Sequence, residues 1–424
     1  MLATALSENY IVDIIVYSKN DGIPIELNSL STDLQLIELY LNIRHLDREK
    51  LATDGLLEAY DDFKGSKNYE VAIFEDLINN PKVKIGNENQ RILNYLHQQK
   101  YSFGIADFTE MAGIILPADL QFFGINIVQQ IREGHTVIPE LIFAKPGDWE
   151  FTQDGCHFKN ERLIDNLKEH KCEINVIKRL YKNIVSEELV NALKIQRGER
   201  RNFFSNLFIK ISYHFVNQHS FANFKNYPED DRIVYIGGIH VEENEKYLKL
   251  KNKNKHPSLV LVSFGTVNDN GQMTNNDVDF MIELFKEYSN YQFKIKLPND
   301  YNLQNFTNIE IDVGFIEQQK YYTIYAGVPL ICIPNSGDQF YNSSLVEHLG
   351  IGIYVSLVWR DRENEINRND NFHLEFSNAV TEMFENNKYQ QAMLELRGHI
   401  LSNYNNGFRA KDVFLQTIKS VVGV

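Results

Sequence analysis

The second half of the chain alternates short apolar runs with amphipathic stretches, and this alternation limits the possible folds more than any other feature. The run Leu259–Phe264 (LVLVSF) has the pattern of a fully buried strand and stops at Gly265. A second run, 328–333 (VPLICI), leads through a turn into a helix predicted from about Gln339 to Leu349. Strands and helices that alternate in this way predict a parallel, doubly wound α/β sheet, in which ligands bind beyond the carboxyl ends of the strands.

The first half shows a similar but less regular pattern. Its apolar runs predict strands at Ile11–Tyr17, Tyr101–Phe108, Ile211–Val216 and Ile233–Ile239. Apolar spacing predicts a helix at Met111–Phe123, and residues 70–96 have a mixed pattern that we interpret as mainly helical. In the second half, Asn275 is predicted to cap the helix that follows the LVLVSF strand.

Length and composition indicate a globular protein with two domains. The 424 residues exceed what one hydrophobic core usually serves, and we place the boundary after residue 240, which gives domains 1–240 and 241–424. The net charge of −14 disfavours nucleic acid as a partner, because an acidic chain repels phosphate backbones. The three cysteines form no CxxC pair, so no metal site is predicted.

The sequence contains neither a long apolar run nor the marks of a secretory leader. No run of about 18 apolar residues appears. The N-terminal residues MLATALSENYIVDIIVY lack a basic region before an apolar core. The sequence as it stands therefore predicts a soluble, cytosolic chain.

Two segments at predicted strand ends could bind a ligand, whereas the Walker A, GxGxxG, GxSxG and HExxH motifs are absent. The first is Ser263-Phe264-Gly265-Thr266, whose backbone N–H groups could face an anion or could form an ordinary turn. The second is 327–350, GVPLICIPNSGDQFYNSSLVEHLG, in which a buried strand delivers Asp338 and Gln339 to a helix start. Asp338 could hydrogen-bond a ligand hydroxyl or could serve only as an N-cap.

Three segments resemble the UDP-glucuronosyl and UDP-glucosyl transferases, and most closely the nematode-type branch. They are YIGGIHV, LVLVSFGT and YAGVPLICIPNSGDQFYNSSLVEHLGIGI, within residues 234–353. The resemblance implies a GT-B fold, with two Rossmann-like domains whose parallel sheets face a cleft. It implies that residues 1–240 bind a small lipophilic acceptor and that residues 241–424 bind a UDP-sugar. UDP-glucuronate or UDP-glucose would be the donor substrate, with no cofactor, and the sugar would pass by inversion to a hydroxyl group.

The resemblance assigns roles to individual residues of the proposed site. Those matched to the donor site hold the sugar hydroxyls, the diphosphate or the uracil, and Asp107 matches the acidic partner of the family's catalytic histidine. The donor residues are Ser263 and Gly265 near the diphosphate, Phe315 and Gln318 at the base, and Asp338, Gln339 and Asn342 at the sugar.

The sequence departs from the family's pattern in three places. No histidine matches the catalytic one, because the opening strand and loop that carry it have no counterpart, and strand Ile11–Tyr17 is expected at a sheet edge or beside a gap. No His-Gly-Gly turn follows Gln319, and Tyr322 replaces the glutamate that holds the ribose. The family's leader and endoplasmic-reticulum membrane anchor also lack a match. These departures predict negligible transfer, with a catalytically impaired or incomplete member that only binds ligands as the alternative function.

Overall fold

The computed structural model describes somewhat more than half of the chain. The described residues are 2–17, 34–40, 77, 79–107, 121–126, 131–132, 135–136, 149–152, 155–158, 211–223, 231, 233–244, 258–264, 273–297, 307–312, 322–334, 339–360 and 366–422.

Helices and strands alternate along these residues. The described helices are α1 (Leu2–Ser7), α2 (Ile92–Gln99), α3 (Ile239–Asn244), α4 (Asn275–Glu287), α5 (Tyr322–Ala326), α6 (Gln339–His348), α7 (Phe372–Glu385), α8 (Lys388–Asn405) and α9 (Ala410–Val422). The described strands are β1 (Val12–Val16), β2 (Leu34–Glu38), β3 (Lys82–Ile85), β4 (Glu88–Arg91), β5 (Phe103–Asp107), β6 (Gln121–Asn126), β7 (Ile131–Arg132), β8 (His135–Thr136), β9 (Trp149–Thr152), β10 (Gly155–Phe158), β11 (Ile211–Val216), β12 (Ile233–Tyr235), β13 (Ser258–Val262), β14 (Tyr291–Lys296), β15 (Ile309–Asp312), β16 (Leu330–Cys332), β17 (Gly352–Tyr354), β18 (Val358–Arg360) and β19 (Ile366–Arg368).

The first half contains two four-stranded sheets. One has the order β1-β2-β3-β4, in which β1 and β2 are parallel and the remaining pairs are antiparallel. The other has the order β12-β11-β6-β5 and is parallel throughout. Among the described strands, β1 therefore lies at the end of its sheet with β2 as its paired neighbour, which agrees with the expected edge position of the run Ile11–Tyr17. Three two-stranded antiparallel sheets are also described: β7–β8 and β9–β10 in the first half, and β18–β19 in the second half.

Side chains join the two sheets where β1 lies beside β5. The Tyr10 ring meets the Phe103 ring edge-on, with centroids 5.6 Å apart. The Asp13 carboxylate on β1 accepts hydrogen bonds from the hydroxyl groups of Tyr101 and Tyr95, the latter at 2.9 Å. Burial, reinforced by the bond to Asp13, raises the pKa of Tyr95 to about 12. The two tyrosines thus stay protonated and act as donors at any physiological pH.

The second half has the alternation that the sequence predicts. Strands β13, β14 and β15 form a parallel sheet in that order, and β16 and β17 form a parallel pair. Helices α4 and α7 cover one face of the three-stranded sheet, where Phe285 stacks on Phe293 at 4.3 Å and meets Phe376 at 6.1 Å. Residues from all five strands contribute to this core, which confirms an α/β fold with parallel sheets.

Four local predictions differ from the structure, and the first is the region 70–96, in which residues 82–91 form the strands β3 and β4 and not a helix. Helix α4 is capped by Thr274 rather than Asn275, because the Thr274 side chain accepts from the N–H of Asp277 while the Asp277 carboxylate accepts from the N–H of Thr274. Residues 121–123 of the expected helix Met111–Phe123 belong to β6, and residues 108–120 lie outside the described part. The strand expected over Ile233–Ile239 ends at Tyr235, because the chain turns at Gly237 and Gly238 into α3.

Helix α9 packs on the sheet β12-β11-β6-β5, which we call the first-half sheet. The Phe414 ring meets the Phe215 ring of β11 at 4.8 Å, and both side chains are fully buried. Ala5 and Leu6 of α1 and Ile418 of α9 share this core. The last described element of the chain therefore returns to the sheet built from residues 103–235. None of the described helices has both the length and the apolar character needed to cross a bilayer.

Candidate active site

Strand β13 is followed by an exposed serine whose backbone lies beside that of a buried lysine on β14. Ser263 follows the strand and is exposed, whereas Phe264 is partly buried against the core of the second half. The pairing of Val262 with Ile295 brings the next two residues, Ser263 and Lys296, side by side, and Lys296 is buried. A hydroxyl group and a lysine at the carboxyl end of parallel strands suit an anionic ligand.

Helix α6 presents two amide side chains from its first turn. Gln339 is the first residue of the helix and is half-buried, and Asn342 is exposed one turn later. Leu345 and Val346, further along the helix, are buried. The helix ends at Gly350, which adopts a φ of 66° and so stops the helix with a left-handed residue.

The close packing of α6 against β16 and β17 depends on one glycine that the sequence analysis did not single out. A Cβ atom on Gly352 of β17 would lie 2.2 Å from the carbonyl oxygen of Leu330 and 2.5 Å from Cγ1 of Val346. Only a hydrogen atom fits there. The signal is present in the sequence as a glycine inside the apolar run IGIYV, since an isolated glycine in a strand marks a close backbone approach.

The structure describes three of the predicted donor-site residues, Ser263, Gln339 and Asn342, and does not describe the others. Phe264, next to Ser263, and Ile333, at the end of the segment that leads to α6, pack on the same hydrophobic core. The strand end with Ser263 and the strand that precedes Gln339 and Asn342 therefore share one core. The remaining donor-site predictions lie outside the described residues, namely Gly265, Phe315, Gln318 and Asp338.

Asp107 is the last residue of β5, at the carboxyl end of the parallel sheet. Its backbone is in register with Ile125 of β6, which in turn pairs with Phe215 of β11. This agrees with a position at the ligand-binding edge of the first-half sheet. Its role beside a catalytic histidine stays a prediction.

His219 lies near the same edge, and its Nδ1 atom already accepts a hydrogen bond from the backbone. The N–H of Phe221 donates to Nδ1 of His219 at 3.2 Å, so the neutral ring carries its proton on Nε2. Burial lowers the pKa of His219 to about 4, which keeps the ring neutral at physiological pH. With Nδ1 occupied and Nε2 protonated, this ring has no nitrogen that can accept a proton from an acceptor hydroxyl.

One buried hydroxyl group in α6 has no hydrogen-bond partner. Within the described part of the chain, Oγ of Ser344 is the sole buried side-chain polar atom that lacks one. Burial of an unpaired hydroxyl costs free energy, because the group loses its bonds to water. Ser344 therefore lowers the stability of the helix that carries Gln339.

We expect Ser344→Ala to raise the free energy of unfolding by about 1 kcal/mol, because it removes an unsatisfied buried group. Urea unfolding followed by circular dichroism measures this change. Ser356→Ala is the matched control, since Oγ of Ser356 is also buried but donates to the carbonyl oxygen of Val358 at 3.0 Å. It should lower stability by about 1 kcal/mol. Equal losses in both variants would contradict the assignment of Ser344 as unsatisfied.

Comparisons with known proteins give relatives of one kind. No protein-family profile matches the chain. The ecdysteroid UDP-glucosyltransferase of Autographa californica nuclear polyhedrosis virus is 26% identical over 223 residues, which cover 46% of this chain and 44% of the viral protein. The protein ugt-48 of Caenorhabditis elegans, named as a UDP-glucuronosyltransferase, is 26% identical over 199 residues, which cover 40% of this chain and 36% of that protein. The chain is similar in sequence to UDP-glycosyltransferases over less than half of its length. Its aligned part spans less than half the length of these two relatives.

A solved structure has a similar fold. The structure of LpCGTa in complex with UDP is 14% identical, covers 100% of this chain and 94% of its own, and superimposes with a TM-score of 0.54. At that identity the likeness concerns the fold alone. Together with the parallel sheets, it assigns the chain to the α/β class with the GT-B fold.

Proposed function

We propose that the chain is a UDP-glycosyltransferase that moves a sugar from UDP-glucose or UDP-glucuronate to a hydroxyl group of a small lipophilic acceptor. The arrangement at α6 carries this proposal. Strand β16, which pairs in parallel with β17, precedes a ten-residue helix whose first turn contains Gln339 and Asn342. Amide side chains there can hydrogen-bond sugar hydroxyls, and the helix N-terminus favours the negative charge of a diphosphate.

The reaction would be a single displacement at the anomeric carbon. The acceptor oxygen forms a bond to C1 of the sugar as the bond from C1 to the diphosphate oxygen breaks, and UDP leaves with the electron pair. The acceptor proton passes to a general base, and the configuration at C1 inverts. Ser263 and Lys296 would stabilise the charge on the departing diphosphate, and Asp107 matches the acidic partner of a histidine base that has no counterpart in this sequence.

Isothermal titration with UDP and with UDP-glucose tests donor binding and the assigned role of Gln339. We expect Gln339→Ala to weaken UDP-glucose binding about tenfold, which is the loss of roughly 1.4 kcal/mol of hydrogen bonding to the sugar. The affinity for UDP alone should change less than twofold, because UDP carries no sugar hydroxyl. His348→Ala, at the exposed far end of the same helix, should change neither affinity.

Transfer is measured by product formation with phenols and an ecdysteroid as acceptors, the latter because the viral relative is named for that substrate. The expected product is a glycoside of inverted configuration. The departures seen in the sequence predict turnover well below about 1 s⁻¹, the lower end of the usual range for enzymes. Failure of the wild-type chain to bind UDP or either UDP-sugar would refute the proposed function. Donor binding without any product would favour the alternative of a binding protein.

A further inference from the structure

The short helix α3 connects two of the hydrophobic cores in the described part of the chain. Ile236, just before it, is buried with Phe215 and Phe414 in the core of the first-half sheet. Val241, within it, is fully buried with Tyr325 of α5 in a core formed by α5, α6 and α8. The chain thus passes from one core to the other within six residues. Any group that fixes α3 fixes the relation between these cores.

Glu242 of α3 bonds two other elements at once. Oε1 of its carboxylate accepts from the hydroxyl group of Tyr325 in α5 at 3.2 Å. Oε2 accepts from the N–H of Ala410, the first residue of α9, at 2.7 Å. Glu242 is only 6% exposed, and Ala410 is buried as well. Without Glu242, both the hydroxyl and the N–H would be left buried and unpaired, which is costly for each.

The surroundings of Tyr325 are built to keep its hydroxyl group in this place. A Cβ atom on Gly238 would lie 2.0 Å from the hydroxyl oxygen of Tyr325, so a glycine is required there. Gly238 also adopts a φ of 93°, which only glycine adopts without strain. At the other end of the residue, Nε of Arg397 in α8 donates to the carbonyl oxygen of Tyr325. Tyr325 is therefore held from both ends.

Burial raises the pKa of Glu242, and the bonds from Ala410 and Tyr325 act against that rise. The neighbouring charges are Arg409 and Asp412, which have opposite effects on this carboxyl. A buried carboxylate in such a setting adds little net stability. Its contribution therefore lies in geometry, because its two oxygens accept from two different elements, α5 and α9, and so hold both against α3.

We propose that Glu242 is a positioning residue that sets how the donor half of the chain sits on the first-half sheet. It holds α5, which leads into β16 and α6, and it holds the start of α9, which packs on the first-half sheet. Gln339 and Asn342 follow α5 in the chain, at the start of α6. The effect of Glu242 on sugar transfer rests on the proposed function, whereas its effect on α9 does not.

Hydrogen exchange read by mass spectrometry tests the proposal on the full-length chain. Glu242→Ala should raise the exchange rate of the segment containing Ala410 at least tenfold, because its N–H loses its acceptor. Glu242→Gln should behave as the wild type, since its amide can accept from Ala410 and donate to Tyr325. Glu243→Ala is the matched control: that neighbour is exposed and contacts Lys411 at 3.3 Å, so exchange at Ala410 should not change.

Two further measurements separate positioning from a general loss of structure. Glu242→Ala should bind UDP within twofold of the wild type but transfer sugar at least tenfold more slowly. Tyr325→Phe removes the bond from the Tyr325 hydroxyl to Glu242 and keeps the bond from Ala410, so hydrogen exchange should become faster in α5 while Ala410 stays protected. This variant also tests the proposal if Glu242→Ala does not fold. Unchanged exchange at Ala410 in Glu242→Ala, or Glu242→Gln failing as the alanine variant does, would overturn the proposal. Absence of UDP binding or transfer in the wild type bears on the proposed function, and the exchange result stands apart from it.

Discussion

Gly352→Ala should destabilise the chain by about 3 kcal/mol, the upper part of the usual range for overpacking a core. The added methyl group would lie 2.2 Å from a backbone oxygen of β16 and 2.5 Å from Val346 of α6. A side chain could move aside, but the backbone oxygen belongs to the neighbouring strand and cannot move without disturbing the β16–β17 pair. Urea unfolding measures the loss, and Gln339 at the start of α6 should lose its ordered position with it.

Gly398→Ala is the control for this substitution. Gly398 lies within α8, and a Cβ atom there would meet nothing within 4 Å. Alanine is favoured over glycine inside a helix by about 1 kcal/mol, so this variant should gain stability. The same chemical change is thus expected to act with opposite sign at the two positions. A Gly352→Ala variant as stable as the wild type would show that α6 does not pack on the strands as closely as described.

Asp277→Ala should lower the free energy of unfolding by about 3 to 5 kcal/mol, as expected when one partner of a buried charged network is removed. The Asp277 side chain is 3% exposed and accepts from Arg368 and from Nε2 of His373 at 2.8 Å. It also accepts from the N–H of Thr274 at 2.7 Å. One carboxylate therefore joins the start of α4 to β19 and α7. Glu283→Ala is the control, because Glu283 of the same helix is 69% exposed and should matter by less than about 1 kcal/mol.

The contribution of Asp277 should depend on pH in one direction. Burial raises the pKa of its carboxyl, but hydrogen bonds from Thr274, Arg368 and His373 outweigh that effect and hold the pKa below its ordinary value. A carboxyl whose pKa is lowered by folding stabilises the folded state above its ordinary pKa, and this stabilisation is lost as the pH falls through the lowered value. Wild-type stability should thus fall more steeply in acid than that of Asp277→Ala. If the free energy of unfolding fell equally steeply in acid for the wild type and for Asp277→Ala, this assignment would be wrong.

The strands of the second half could be predicted from the sequence because they are continuous apolar runs. LVLVSF and VPLICI correspond to β13 and β16 within one or two residues at each end, although Leu259 and Leu261 of β13 are more than half exposed and not buried as expected. The capping residue of α4 was misplaced by one, because Thr274 and Asn275 are adjacent and both can cap. Asp277 determines that Thr274 is the cap, because the two residues bond to each other's backbone N–H. Such a pairing becomes visible only when the backbone is in place.

Elements without an apolar pattern could not be predicted. Residues 82–91 were interpreted as helical, yet KVKI and ENQR pair as the hairpin β3–β4. Their charged residues face outward, and Gly86, with a φ of 59°, makes the tight turn between them. Helix α8 was not predicted, because Arg397 and Gly398 interrupt the apolar face. Arg397 is buried only because it donates to a carbonyl oxygen 72 residues away in sequence, which no local pattern reveals.

The candidate site was predictable in part for a related reason. Gln339 occupies a helix start that follows an apolar strand, and the local pattern predicts this position, whereas Asn342 was assigned from the resemblance. Lys296 was missed because it lies on a different strand from Ser263, and only the register of β13 with β14 makes them neighbours. Glu242 was missed because both of its partners are distant in sequence, at Tyr325 and Ala410.

The boundary between β1 and β5 has a consequence for how the chain melts. Strand pairing does not join these two strands in the described part of the chain, so side chains such as Asp13, Tyr101 and Phe103 provide the contact. Cooperative unfolding spreads most readily along a continuous ladder of backbone bonds, and here the ladder is interrupted. The sheet β1-β2-β3-β4 can therefore open as a separate foldon, while α9 keeps the sheet β12-β11-β6-β5 closed. Calorimetric and van't Hoff enthalpies of unfolding would then differ, as they do whenever a chain melts in more than one step.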